Sequence, residues 1–153
     1  MVTYTLNPIG KVRTEFKERS QAPNQGRFSD RTAYLELDPQ YLAGLKDIET
    51  VSHLIVLYWG HLSDRQTLVA KPPFGDEPRG VFASRSPNRP NPVALCVAEL
   101  LEVNGNVLKV RGLDALDQSP LIDIKPYSTK VDGVSDAHIG WLEAVQAPIK
   151  KER

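Results

Sequence analysis

The stretch Val93-Ala-Leu-Cys-Val-Ala-Glu-Leu-Leu-Glu-Val-Asn-Gly-Asn-Val-Leu-Lys-Val-Arg111 decides the fold that we predict for this chain. Its first part is an almost continuous apolar run up to Val103, and its last part alternates apolar and charged residues, as β-strands do. Asn104-Gly105 lies between the two parts and predicts a hairpin with a type I′ turn, because that turn needs a positive φ at both central residues. The stretch therefore predicts two antiparallel neighbours.

Further strands are predicted on both sides of this hairpin. Ser52–Trp59 is apolar and rich in β-forming residues, so we expect a strand that is buried on both faces. Tyr34–Leu37 and Leu121–Tyr127 are shorter candidates. Val2, Tyr4 and Leu6 alternate with polar residues, which predicts that the chain opens with a strand.

Helical signals are few. Asp38-Pro39 offers an N-cap followed by proline at the first helical position, and Leu42, Leu45 and Ile48 then share one helical face. Ile139–Leu142 is expected to pack as a last element.

The fold class that follows is mainly β: a single-domain, antiparallel, barrel-like fold with one or two short helices. The sequence has 153 residues and 41% hydrophobic residues, enough for one sizeable core. We place this domain at residues 1–145 and a C-terminal tail at 146–153.

A proline-rich segment, Gly80–Pro92, precedes the hairpin. Six of the twelve prolines lie between Pro72 and Pro92, and proline restricts its own φ and the residue before it. We therefore expect a stiff loop that presents Arg85, Arg89 and two asparagines to a polar ligand. The alternative is a surface loop with solvated arginines.

Two other polar clusters, Ala22–Gly26 and Asp114–Tyr127, also lie at predicted strand ends, where barrels place ligand loops. Within them Asp114, Asp117 and Asp123 are the best candidates for a general base or for contact with a cationic ligand. They would otherwise be turn residues and strand caps.

Composition excludes several classes of protein. Nineteen basic residues balance nineteen acidic ones, so a surface for nucleic acid would have to be local. No apolar run has the length of a membrane span, no signal-peptide pattern is present, and no Cys/His spacing predicts a metal site. The single cysteine, Cys96, is expected to be a small buried hydrophobe rather than a nucleophile. We expect a cytoplasmic protein.

Several of these segments resemble the TsaA-like, or TrmO, family. The resemblance begins at Ile9-Gly10 and Pro23-Asn24-Gln25, and it spans about residues 7 to 128. Its most specific parts are Arg85-Ser-Pro-Asn-Arg-Pro-Asn-Pro92 and Asp123-Ile-Lys-Pro-Tyr127. The sequence differs from the family pattern at Asn24, where arginine is usual, and at Cys96, where serine is common.

The resemblance implies a β-barrel-like domain that binds S-adenosylmethionine, acts as a homodimer and methylates N6 of threonylcarbamoyladenosine beside a tRNA anticodon. It implies cofactor contacts at Pro23, Asn24, Gln25, Gly60, His61, Arg85, Leu95, Asp114, Ala115, Leu116 and Asp117. Arg89, Asp123 and Tyr127 are the expected catalytic residues, and Asn91 and Lys125 are the expected substrate-binding residues. Some members carry an extra C-terminal domain, for which this sequence is too short.

Two alternatives remain at the level of sequence. The acceptor of the methyl group would be a small molecule or a protein in one, and the domain would bind the cofactor without catalysis in the other.

Overall fold

Six strands close an antiparallel barrel in the computed structural model, which describes residues 1–23, 26 and 29–146. The barrel order is β1-β2-β7-β6-β3-β8, and β4 and β5 form a separate two-stranded sheet. The predicted class, a mainly β antiparallel barrel with few short helices, is confirmed. The strands in the described part are β1 (Gly10–Arg13), β2 (Thr32–Leu37), β3 (His53–Trp59), β4 (Val69–Ala70), β5 (Arg79–Gly80), β6 (Val93–Asn104), β7 (Val107–Arg111) and β8 (Pro120–Pro126).

The helices are short and lie outside the barrel wall. Two are α-helical, α1 (Thr129–Asp132) and α2 (Gly140–Gln146), and 3-10 helices cover Arg19–Gln21, Pro39–Leu45 and Ile48–Thr50. The predicted last element is therefore α2. Residues 147–153, nearly all of the predicted tail, lie outside the described residues. No helix in the described ranges is long and apolar enough to cross a membrane.

The core fills the barrel interior because alternate residues of each strand point inward. In β3 the side chains of Leu54, Val56 and Tyr58 are buried, whereas those between them are partly exposed. The prediction that this strand is buried on both faces is therefore wrong, since only the inner face of a closed barrel is covered.

The hairpin between β6 and β7 is confirmed, but its turn is shifted by one residue. Asn104 pairs with Val107 as the last pair of the ladder, so Gly105 and Asn106 form the turn. Only Gly105 has a positive φ, of 62°. A type I′ turn needs a positive φ at both central residues, so the predicted turn type is wrong.

The predicted opening strand at residues 2–7 is also wrong. β1 begins only at Gly10, and Val2 and Tyr4 are 73% and 86% exposed. Within the described residues no strand pairs with Val2–Leu6, and β8 pairs with β1 only at Gly10 and Lys11.

The predicted helix after Asp38 begins at Pro39 as expected, but it is a 3-10 helix. Leu45 enters the core, whereas Leu42 is 49% exposed. The element ends at Leu45 with Lys46 as its C-cap, and Asp47, with a φ of 68°, is the N-cap of the separate 3-10 helix that begins at Ile48. The predicted apolar face is therefore only partly formed.

Candidate functional site

A cavity of about 960 Å³ opens at the end of the barrel where β3 and β7 finish and β6 begins. We call it the barrel-end cavity. Its volume lies within the range of small-molecule sites. Its lining combines strand ends, the proline-rich loop, the β4–β5 region and the segment before α2, with these residues among others: Pro23, Tyr58, Gly60, His61, Lys71, Phe74, Phe82, Arg85, Leu95, Asp114, Leu116, His138 and Trp141.

Arg89 holds the proline-rich loop in shape. Its Nε donates to the Ser86 carbonyl at 2.8 Å, and its Nη2 donates to the carbonyls of Ser84, at 2.7 Å, and Val81. A guanidinium is a rigid fork of donors, so it can tie several carbonyls of one loop together. Arg89 lines the cavity, but these N–H groups donate to carbonyls of its own loop. The predicted catalytic role of Arg89 stays a prediction.

A second arginine fixes the same loop from outside. Arg65 donates to the Pro90 carbonyl at 2.7 Å and to the Asn91 carboxamide at 3.2 Å, and its guanidinium lies 5.0 Å from the Trp59 ring centre. Asn91 lines neither of the two cavities described here. Its carboxamide serves Arg65, and its predicted contact with substrate stays a prediction.

Asp114 brings a carboxylate to the cavity from the end of β7. Its Oδ1 accepts two hydrogen bonds, one from the Tyr58 hydroxyl at 2.7 Å and one from the Cys96 thiol at 2.8 Å. Both donors are buried core residues, so the orientation of the carboxylate is set by the barrel itself. Burial and the adjacent Asp114 carboxylate raise the pKa of Cys96 far above its ordinary value. Cys96 is therefore a protonated hydrogen-bond donor, which sequence reasoning missed when it treated this residue as a small hydrophobe.

Gly26 lies against the backbone at this site. A Cβ at Gly26 would lie 2.4 Å from the Gly112 carbonyl oxygen and 2.7 Å from the Asp114 nitrogen. Only glycine permits such close contact between two backbones. Pro23 lines the cavity, whereas Asn24 and Gln25, two of the predicted cofactor contacts, lie outside the described residues.

Asp117 does not line the cavity. Its carboxylate accepts from the Thr14 amide at 2.9 Å and forms an ion pair of 2.6 Å with Lys17. Burial acts to raise the pKa of Asp117, but the hydrogen bonds from Lys17 and Thr14 prevail and hold it below its usual value. The carboxylate therefore anchors the segment after β1. Ala115, also a predicted contact, is fully buried in the core.

The C-terminal part of the described chain covers one side of the barrel-end cavity. The Trp141 indole nitrogen donates to the Ala83 carbonyl at 2.8 Å, and the Arg79 guanidinium lies 5.0 Å from the Trp141 ring centre. His138 and Leu142 line the cavity beside it. Sequence reasoning did not assign these residues to the site, because nothing local relates α2 to a loop 58 residues away.

A second, smaller depression of about 450 Å³ lies on the outer face of the sheet formed by β6, β3 and β8. We call it the outer groove. It shares Arg85 and Leu95 with the barrel-end cavity, so these two side chains form the wall between them. The other lining residues are Gly26, Ser52, His53, Cys96, Val97, Tyr127 and Thr129.

The strand register places the Asp123–Tyr127 motif on that same outer face. Asp123 lies opposite Leu57, and Lys125 lies opposite Ile55. Asp123 and Lys125 form an ion pair of 3.1 Å with exposed fractions of 45% and 60%, and neither lines the barrel-end cavity or the outer groove. Tyr127 lines the outer groove. The predicted roles of these three residues stay predictions.

Comparison with known proteins gives consistent matches. A family model described as the tRNA-methyltransferase O N-terminal domain matches residues 11–133. The chain is 50% identical over its whole length to a protein of Archaeoglobus fulgidus named "Probable S-adenosyl-L-methionine-binding protein", of which it spans 42%. A second A. fulgidus protein, named "S-adenosyl-L-methionine-binding protein", is 53% identical over 130 residues, which are 85% of this chain and 94% of that protein.

A solved structure has the same fold. The crystal structure of TrmO from Pseudomonas aeruginosa superposes with a TM-score of 0.76 at 32% identity, over 91% of this chain and 62% of that one. The present chain thus spans less than two thirds of this structure and of the first A. fulgidus relative.

Proposed function

The chain belongs to the family of the tRNA-methyltransferase O N-terminal domain, and on that premise we propose that it is an S-adenosylmethionine-dependent methyltransferase. We propose further that its acceptor is N6 of threonylcarbamoyladenosine in tRNA. The names of its relatives, which refer to binding of S-adenosylmethionine, support the cofactor.

One observation carries the proposal. The barrel-end cavity collects seven of the eleven predicted cofactor positions from five separate parts of the chain: Pro23, Gly60, His61, Arg85, Leu95, Asp114 and Leu116. Two more lie outside the described residues, and the remaining two, Ala115 and Asp117, are adjacent in sequence to the lining residue Leu116. Such convergence of a sequence pattern on one cavity supports a binding site there.

The charges of the cavity fit this cofactor. S-adenosylmethionine carries a sulfonium, an ammonium and a carboxylate. The Asp114 carboxylate, held by Tyr58 and Cys96, can attract a positive group, and Lys71 can pair with a negative one. Apolar side chains such as Phe74, Phe82 and Leu116 provide area for a purine ring.

The cofactor supplies a methyl group that is already activated by the sulfonium. The protein must hold the acceptor nitrogen in line with that methyl group and exclude water, which is catalysis by proximity and orientation. As the nitrogen–methyl bond forms and the methyl–sulfur bond breaks, N6 must lose its proton. That nitrogen is conjugated to a purine and a carbonyl, so we propose that an acidic side chain or Tyr127 assists the removal of this proton.

We also propose a homodimer. Several large apolar side chains at the mouth of the barrel-end cavity are exposed, among them Phe82 at 81% and Ile139 at 46%. A second copy would cover such a surface. Light scattering after size-exclusion chromatography tests this: a strict monomer at micromolar concentration would contradict it.

Methyl transfer itself is tested with radiolabelled S-adenosylmethionine and tRNA that carries threonylcarbamoyladenosine, with tRNA lacking this modification as control. Label on the modified tRNA alone supports the proposal. Cofactor binding without labelled tRNA would move the acceptor to another molecule or leave a domain that only binds.

A further inference from the structure

The outer groove has a charge pattern different from that of the barrel-end cavity. None of its described lining residues carries a carboxylate, whereas Arg85 and His53 bring basic groups. Two carboxylates lie near it on the same face of the sheet, and each is neutralised: Glu99 by Arg111 at 2.6 Å and Asp123 by Lys125 at 3.1 Å. The groove therefore favours an anionic ligand, whereas the barrel-end cavity presents the carboxylate of Asp114 together with the basic groups of Lys71, Arg85 and Arg89.

Arg85 lies at the boundary between the two cavities and has hydrogen-bond donors that the loop does not use. Its Nη2 donates to the Leu95 carbonyl at 3.0 Å, and it makes no ion pair within the described residues. This single bond orients the guanidinium along the wall between the two cavities and leaves the remaining N–H groups for a ligand. A guanidinium with free donors binds a carboxylate in a bidentate manner.

The other walls of the groove suit a flat ring. Leu95 and Val97 project from the outer face of β6, and Tyr127 and His53 lie opposite each other across β8 and β3, where the Tyr127 amide donates to the His53 carbonyl at 2.9 Å. Apolar and aromatic side chains that line one groove in this way can hold a planar heterocycle. Ser52, whose hydroxyl lies 2.9 Å from His53 Nδ1, fixes the imidazole.

We propose that the outer groove is the acceptor site: it binds a planar base that carries a carboxylate, and Arg85 pairs with that carboxylate. This inference rests on the proposed function. The acceptor and the cofactor then occupy adjoining cavities, and the acceptor nitrogen reaches the methyl group where these cavities adjoin at Arg85 and Leu95.

The three histidines of the chain provide a direct test, since they divide between the two sites. His53 lines the outer groove, whereas His61 and His138 line the barrel-end cavity. NMR spectra of protein with labelled histidine rings, assigned with H53Q, H61Q and H138Q variants, report the occupied site. The probes are S-adenosylhomocysteine and the nucleoside N6-threonylcarbamoyladenosine, the second added to protein already saturated with the first.

We expect S-adenosylhomocysteine to shift His61 and His138, and the nucleoside to shift His53. A nucleoside that shifts His61 or His138 and leaves His53 unchanged would overturn the proposal, and so would one that shifts none of the three at millimolar concentration. Failure of the proposed function is a separate outcome, because it would show as S-adenosylhomocysteine leaving His61 and His138 unshifted.

A blocking variant tests the same inference by activity. Thr129→Trp fills the outer groove, and Val131→Trp places the same ring on the same helix at a position that is 79% exposed and lines neither cavity. We expect T129W to raise the KM for the acceptor by about tenfold or more, which corresponds to at least about 1.4 kcal/mol, with cofactor affinity unchanged. Equal acceptor KM values for T129W and V131W would overturn the proposal.

Discussion

Arg89→Ala should disrupt the proline-rich loop and, with it, the barrel-end cavity. Arg89 makes three hydrogen bonds to carbonyls of its own loop. A hydrogen bond to a charged group contributes about 1.5–3 kcal/mol, but water can replace the guanidinium at the carbonyls of the half-buried Ser84 and Ser86. We therefore expect a total loss of about 3 kcal/mol in the free energy of unfolding, near the value of one or two such bonds. For a chain of this size that loss lowers Tm by about 6–12 °C.

Arg85→Ala in the same loop is the matched control. Arg85 is exposed and makes one hydrogen bond, to Leu95, so we expect its removal to lower Tm by no more than about 3 °C. Thermal unfolding followed by circular dichroism compares the two variants, and calorimetric titration with S-adenosylhomocysteine follows on each folded protein. A Tm for R89A within about 2 °C of the wild type would refute the claim that Arg89 holds the loop in shape.

Three further predictions concern single residues. Gly26→Ala should weaken cofactor affinity and lower Tm, because its Cβ must displace the backbone at Gly112. Calorimetric titration measures the affinity and thermal unfolding measures Tm. A variant with the affinity and the Tm of the wild type would contradict this close approach. Asp117, whose pKa is lowered in the folded state, stabilises the fold above the unfolded pKa of about 3.9 and loses that contribution as the pH falls through the folded pKa. Asp117→Asn should therefore have a lower free energy of unfolding in urea than the wild type at pH 7, and the difference between the two proteins should be smaller under acid conditions. An equal difference at both pH values would contradict the lowered pKa of Asp117. The Cys96 thiol should resist iodoacetamide at mildly alkaline pH until the protein is unfolded, as mass spectrometry would record, and rapid alkylation of the native protein would contradict its burial.

Periodicity in the sequence was sufficient for most of the barrel. β2, β3, β6, β7 and β8 all lie close to their predicted positions, because an alternating or continuous apolar pattern marks a strand wherever a core exists to bury it. The same signal failed at Val2–Leu6, where the pattern is present but no strand or core in the described part of the chain covers it. Pattern alone does not show whether a partner is available.

The site was predictable in its loops but not in its contacts. The stiff loop with its two arginines could be recognised from its prolines, but the different roles of Arg85 and Arg89 follow from which carbonyls lie near each one. Likewise, the hydrogen bonds from Tyr58 and Cys96 to Asp114 exist only because the closed barrel brings three distant strand positions together. Contacts of this kind depend on tertiary packing, which leaves no local signal.

The central claim is that the barrel-end cavity binds S-adenosylmethionine, and calorimetric titration of the wild type and of Asp114→Asn with S-adenosylhomocysteine tests it most directly. The account predicts saturable binding to the wild type with one site per chain. It also predicts that D114N, folded and with a Tm close to that of the wild type, loses affinity by about tenfold, the effect of about 1.4 kcal/mol. Absence of binding to the folded wild type, or equal affinity in the two proteins, would contradict the assignment of this cavity.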